Sequence, residues 1–478
     1  MVKEKEVHLS EKEVQARDFI LNGPVFKVIL RIGLPIAFFQ SLNHLFRALD
    51  MFMAASIDET AVSMVTYLAQ MNMIIGGLGL GLATGATLKI SQMYGSGNYE
   101  AVRKQISTLL AFAVLASIGM IIIIIPLAAP ILRFANMPEE LITSARVYFS
   151  IEFLGVMLMF LNGIYIALER VQGNAKKILY MNLVAMVIRI GFTAFSIYIL
   201  CEGVVFIAIS IVLSQLFIFA YAIYNLKEKS EVFTFSLKDV TLKREILAPM
   251  LTISIPIMIE RSAFHVGKVI VNAMIASIDL LVAGGLSISN LICGLGVAPQ
   301  MGIQDASIPI LAQNMGAKKH KRTLEAFKAV FVINMVQAVL LFLPLFIFAR
   351  QMTGLFAQNN PEFHEIIYMI HIFDVWSVLV LGAYSSVMAL LLGLGYTKLT
   401  LFLNFCRVFL FRIPVLWFLQ NFTNMGVQAA GFVMMFSNVA TVITSLIIAV
   451  ICVRKFCQKH EIFFWNRSLE KKLKSDII

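Results

Sequence analysis

Charge is what this chain has least of. Only 14% of its 478 residues are Asp, Glu, Lys or Arg, against about 25% in soluble domains. A water-facing surface cannot be built from so few, which excludes a soluble globular protein. Cysteine is sparse as well. Cys201, Cys293, Cys406, Cys452 and Cys457 are odd in number and scattered, leaving no disulfide framework and no metal-ligand spacing. Catalytic signatures are missing too: no H-E-x-x-H, G-x-S-x-G or Walker phosphate loop occurs. No enzyme activity and no cofactor are expected, and any transport must draw on an ion gradient of H+ or Na+. Residues 1–22 mix acids and bases without an apolar centre, unlike a cleavable signal peptide.

What the chain does have is apolar sequence. Hydrophobic residues make up 59% of it, and the mean hydropathy is +0.84. Runs such as Leu109–Leu132, Val204–Ile223 and Phe331–Ala349 suit helices that cross about 30 Å of hydrocarbon with roughly 20 residues each. Period-2 alternation, the mark of an outer-membrane barrel, is absent. The expected fold class is an all-α membrane protein with twelve transmembrane helices. The spans fall at roughly 26–56, 62–91, 105–133, 140–168, 177–200, 204–226, 246–277, 281–313, 324–350, 363–392, 399–419 and 427–453.

Loop charge supports the count. Even-numbered connections hold Arg103 and Lys104, then Arg170, Lys176 and Lys177, then Lys227, Lys238 and Arg244, then Lys318, Lys319 and Arg322, and finally Lys398. Odd-numbered ones hold mainly Asp58, Glu59, Glu139, Glu140, Glu202, Asp279 and Glu362. Positive loops stay inside, so both termini are expected in the cytoplasm. The net charge of +11 then belongs to loops and a tail facing anionic membrane lipids, and no nucleic acid is needed to explain it.

The two halves carry the same landmarks. Ile32, Pro35, Ile36, Ala55, Ser56, Asp58, Gly81, Gln92 and Gly95 recur 221 residues later as Ile253, Pro256, Ile257, Ala276, Ser277, Asp279, Gly302, Gln313 and Gly316. Beyond that the displacement is 222, pairing Glu152 with Asp374, Gly173 with Gly395, Lys176 with Lys398 and Asn182 with Asn404. Internal duplication in a hydrophobic chain is the build of many transporters, whose substrate site lies between related lobes. The divisions expected are 1–23 as an N-terminal segment, 24–226 as the first lobe, 227–245 as a linker, 246–456 as the second lobe and 457–478 as a tail. The run Gly77 to Gly85 (GLGLGLATG) lies inside a span with no strand before it, so it reads as small residues for close helix packing and not as a nucleotide loop.

Gly33, Leu34, Pro35 and Ile36 followed by Asp50 fifteen positions after the proline, Ser91–Asn98 (SQMYGSGN), Ala312–Ala317 (AQNMGA), Gly173–Lys176 (GNAK), Gly395–Lys398 (GYTK) and Arg412–Pro414 (RIP) occur in this order. Over about residues 24–456 the chain resembles the multidrug and toxic compound extrusion family of cation-coupled antiporters, of the prokaryotic type. The resemblance implies two pseudo-symmetric six-helix bundles forming a V-shaped cavity, with alternating access. It also implies that Asp50 takes part in proton or sodium coupling.

Ionisable residues inside spans are costly in lipid and face a cavity or a partner. Asp50 lies one turn after Arg47; a structural ion pair with Arg47 or Arg189 is its competing reading. Glu152 and Asp374 are repeat mates at equal depth, and Glu260 lies midway through the seventh span beside Arg261. Arg189, Asn182 and His265 complete the candidate set, with His44, His371, Lys268 and Arg407 as further polar groups in spans. The chain departs from the family pattern. Where many prokaryotic members carry an asparagine and an aspartate in the fifth helix, this sequence has Arg189 and Thr193; where another branch has deeper acids on helices 7 and 10, it has His265 and Ala383. A guanidinium at 189 competes with sodium and favours the proton. The expected function is efflux of small organic compounds, amphipathic or cationic, by a monomer. The alternative is flipping of a lipid-linked precursor, for which Arg47, Arg189, Arg261 and Lys268 supply positive charge.

Overall fold

The computed structural model describes residues 8–55, 59–134, 139–200, 205–228, 230–241, 243–277, 279–357 and 360–462. In chain order its α-helices are α1 (Glu11–Asn22), α2 (Val25–Ala55), α3 (Glu59–Ser96), α4 (Tyr99–Ile124), α5 (Ala128–Phe134), α6 (Glu139–Val171), α7 (Ala175–Tyr198) and α8 (Val205–Glu228). The second half holds α9 (Arg244–Ala276), α10 (Leu280–Gly316), α11 (His320–Ile347), α12 (Ala349–Gly354), α13 (Pro361–Asp374), α14 (Trp376–Gly393), α15 (Thr397–Phe405), α16 (Ile413–Phe422) and α17 (Gln428–Lys459). Among the described residues, twelve segments are long and apolar enough to cross a bilayer. Two of these are composite: α13 with α14, and α15 with α16. The chain is a multi-pass helical membrane protein.

Three spans expected as single helices are interrupted, each for a local reason. The span at 105–133 ends as α4 at Ile124 and resumes as α5, because Pro126 has no N–H to continue the ladder. The span at 363–392 breaks at Val375, where the Ser377 hydroxyl donates to the Asp374 carboxylate at 3.2 Å and offers the chain a local alternative to helix. The span at 399–419 passes through a π turn at Cys406–Leu410. Pro414 cannot donate to Leu410, and the preceding bonds slip by one residue, Phe411 N–H reaching Cys406 O at 2.8 Å. Repeat-related turns follow α6 and α14, where Gly173 (φ 77°) and Gly395 (φ 85°) take the left-handed conformation that glycine adopts without strain.

Helix neighbours in the first half recur in the second. The pair α2–α7 corresponds to α9–α15, α6–α8 to α14–α17, α4–α6 to α11–α14, and α5–α6 to α12–α13. The halves meet through α3 against α9 and, reciprocally, α10 against α2. In lipid this association has no hydrophobic drive and rests on close packing of small residues. Gly77, Gly81 and Gly85 form one stripe of α3, set directly on the α9 backbone at Arg261–Ser262, Ile257–Met258 and Ser254. This is the packing role expected of the run. The mate of Gly81, Gly302, sits on Ile36 and Ala37 of α2. At the end carrying the basic connections, Gly95 lies on Gln313 and Gly316 on Gln92, so the two contacts exchange under the repeat.

The N-terminal segment, given no helix by the sequence, folds as α1 across this same end. Ser10 and Glu13 form a capping box at its start. Arg17 donates to the Tyr94 and Gly95 carbonyls at 3.3 and 3.0 Å. At the other terminus, the orphan carbonyls of Ile20, Leu21 and Gly23 accept from Arg322, Lys319 and Arg322 of α11. Ile20 packs with Ile32, Ile303 and Ile310 from both halves. Large apolar side chains such as Leu115, Ile122, Val187, Leu340 and Ile447 stay exposed on the outer helices, as a lipid-facing belt requires.

Candidate functional site

The first half encloses a cavity of about 310 Å³ lined from α2, α3, α6, α7 and α8, with α10 of the second half closing it. That size lies at the lower end for small-molecule sites. Apolar walls come from Phe39, Leu80, Met159, Met186 and Ile218. Asn182 and Arg189, both expected from the sequence, line it from α7. The Asn182 amide Nδ2 donates to Ile178 O at 2.7 Å. Glu152 does not line the cavity; it is buried beside it, accepting from Asn72 Nδ2 at 2.6 Å, and Arg189 acts on it electrostatically. Arg47 and Asp50 lie on α2, but their side chains fall outside the described residues.

Two further charged residues, Asp305 and Arg170, reach this cavity. Asp305 reaches it from α10, accepting from Gln40 Nε2 at 3.3 Å and standing 3.6 Å from Arg170 Nη1. Arg170, which the sequence places in a cytoplasmic connection, is the penultimate residue of α6 and lines the cavity. A signal for Asp305 existed, as an acid inside the expected span 281–313. Its repeat mate is Thr84, so matching acids between halves missed it.

The second half carries two buried polar networks. Glu260 of α9 is 3% exposed. Its Oε1 accepts from Asn404 Nδ2 at 2.7 Å, and Asn404 Oδ1 accepts from Tyr384 Oη at 2.8 Å. Glu260 also meets the Thr400 side chain, whose hydroxyl lies 2.9 Å from Thr397 O. The repeat mates Asn182 and Asn404 are therefore used differently: one lines a cavity and the other holds a carboxylate.

Asp374 sits at the α13–α14 break, held by Ser377 Oγ and, at 3.1 Å, by Ser289 Oγ. Its neighbour His371 lies 3.4 Å from Ser289 Oγ and 3.6 Å from Cys293 Sγ. Behind them Asn438 Nδ2 donates to Ser377 Oγ at 2.7 Å, while its Oδ1 accepts from Arg407 Nε at 2.9 Å and Arg412 Nη2 at 3.1 Å. The π turn places these arginines: Arg407 stacks over Phe264 and Tyr384, and Arg412 is almost wholly enclosed. His265 is half-buried with its ring edge-on to Phe264. Glu152 and Asp374, repeat mates whose equal depth suggests cavity lining, are thus engaged with different partners, Asn72 for the one and Ser289 with Ser377 for the other, while Glu260 is held by Asn404. Among the described residues no cluster of His, Cys, Asp and Glu has the makings of a metal site.

The MatE family model matches residues 35–195 and 256–418, one stretch in each half. The probable multidrug resistance protein YoeA of Bacillus subtilis is 22% identical over 361 residues, 73% of this chain and 76% of that protein. The FAD transporter of Shewanella oneidensis is 20% identical over 422 residues, 84% of this chain and 89% of that one. A solved structure, the outward-facing conformation of a multidrug resistance MATE family transporter of the MOP superfamily, superposes with a TM-score of 0.87 at 18% identity, covering 95% of this chain and all of that one. A helical fold in two repeat-related halves, a cavity walled by both, and a family model matched across each half lead to one conclusion: this chain belongs to the MatE family of multidrug efflux transporters, and it is not an enzyme.

Proposed function

We propose that the protein exports small amphipathic organic compounds, cationic ones included, in exchange for inward H+ or Na+. The two halves rock about the α3–α9 and α2–α10 crossings, alternating access to the first-half cavity. The observation that carries this reading is that the cavity borrows its closing wall, including Asp305, from the second half. Its shape and charge must then change whenever the halves move, which is what alternating access requires. Buried acids in both halves, Glu152 and Asp374 with Glu260, supply groups able to load a cation in a low-dielectric setting. The basic connections and both termini face the cytoplasm of a prokaryotic plasma membrane, and a monomer suffices.

The test uses proteoliposomes with an imposed proton gradient or sodium gradient, one at a time, and ethidium as the transported dye. Efflux should follow one gradient and be slowed by Glu260→Gln, which keeps the shape and the Asn404 bond but removes the charge. Dye movement indifferent to both gradients would overturn the proposal.

A further inference from the structure

Several neutral polar residues of the first-half cavity have their hydrogens engaged within the protein. Thr84 and Thr87 donate to the Leu80 and Ala83 carbonyls at 2.8 and 2.6 Å. The Asn182 amide is committed to Ile178 O. Asn162 Nδ2 is committed to Gln215, at 2.8 Å to its backbone oxygen and 2.9 Å to its side-chain oxygen. Thr84, Thr87 and Asn162 are therefore left with acceptor capacity alone. Asn162 is 1% exposed and its Oδ1 has no partner at all, a costly state that a donor would relieve. The wall thus asks for a ligand that brings N–H groups.

Asp305 is the anion of this wall and the piece contributed by the other half. Its present partners hold it loosely: Gln40 at 3.3 Å and Arg170 at 3.6 Å, beyond hydrogen-bonding distance, with Arg170 Nε buried and unpartnered. Both side chains are about four-fifths enclosed, so the pair is neither well solvated nor well made. The other charged residue lining the cavity among those described is Arg189, across from them on α7.

We propose that Asp305 reads occupancy of the cavity for the second half. An organic cation bearing N–H donors that enters the cavity replaces the Arg170 guanidinium on the Asp305 carboxylate. That exchange undoes an ionic tie between α6 of the first half and α10 of the second, at the end where α1 lies. Binding and the freedom of the halves to part there are coupled through one carboxylate. The inference rests on the transport reading above, but its test does not need transport.

Ethidium, a cation bearing amine donors, is titrated by fluorescence into purified protein in lipid nanodiscs, beside an uncharged dye, Nile red. Removing Arg170 and removing Asp305 should act with opposite signs. Arg170→Gln leaves Asp305 without its competitor and tightens ethidium binding, by about tenfold if the pair is worth what partly desolvated ion pairs usually are. Asp305→Asn weakens it by about the same factor, and neither change moves Nile red. Spin labels at Ser96 and Lys321, exposed and in opposite halves, should separate on adding ethidium to wild type and stand apart without it in both variants. If both substitutions weaken ethidium alike, Asp305 and Arg170 are structural partners only and the inference falls. If neither matters, ethidium binds elsewhere and it falls too. Absence of gradient-driven efflux with these opposite signs intact would sink the transport reading and leave Asp305 standing.

Discussion

A methyl group added at Gly95 or Gly316 is expected to pry the two halves apart at the α1 end. A Cβ at either position would lie inside 3.0 Å of the facing backbone: the Gln313 carbonyl for Gly95, the Gln92 carbonyl for Gly316. Backbone cannot rotate away as a side chain does, so the helices must separate. Overpacking of this kind costs about 1–3 kcal/mol, and alanine's better helix propensity returns roughly 0.5–1 kcal/mol. That gain is common to both arrangements, so the clash of about 1–3 kcal/mol shifts the balance between closed and separated forms by roughly five- to 150-fold. The double variant should cost less than the sum of the singles, because both methyls are relieved by one movement. Distances between spin labels at Ser96 and Lys321 in nanodiscs report the shift. Gly119→Ala is the comparison, since nothing lies within 4 Å of a Cβ there; it should leave the distances unchanged and raise stability slightly. Identical distance distributions for Gly95→Ala and wild type would refute the crossing as the closed contact.

Asn438→Ala should be among the more damaging single changes in the second half, at about 3 kcal/mol, because it strips hydrogen bonds from Arg407, Arg412 and Ser377 together. Thermal unfolding in detergent checks this against lipid-facing Ile443→Ala; equal losses would mean the network contributes little. Replacing Lys319 and Arg322 together by Ala should free the C-terminal carbonyls of α1. Amide exchange across Glu11–Asn22 should then speed up by roughly tenfold, a loss of about 1.4 kcal/mol. Unaltered exchange would show that α1 is held by Arg17 and its apolar seat at Ile20 instead.

The chain itself determined its class, its twelve spans and its duplication, because hydropathy over about 20 residues answers to bilayer thickness and to nothing further away. It also revealed the packing role of Gly77–Gly85, since small residues four apart share one helix face. Tertiary structure decided the rest. The break between α13 and α14 starts from the local Ser377–Asp374 bond, but Ser289 of α10 and Asn438 of α17, which hold those two groups, are brought there by the fold. Arg170 reads as a loop charge, and nothing in the sequence links it to Asp305; they are 135 residues apart, and only the joining of the halves makes them neighbours. Glu260 and Asp374 were equally visible as acids in spans, but their partners come from other helices. A buried charge is costly enough to announce itself in a sequence, whereas the group that compensates it is chosen by the fold.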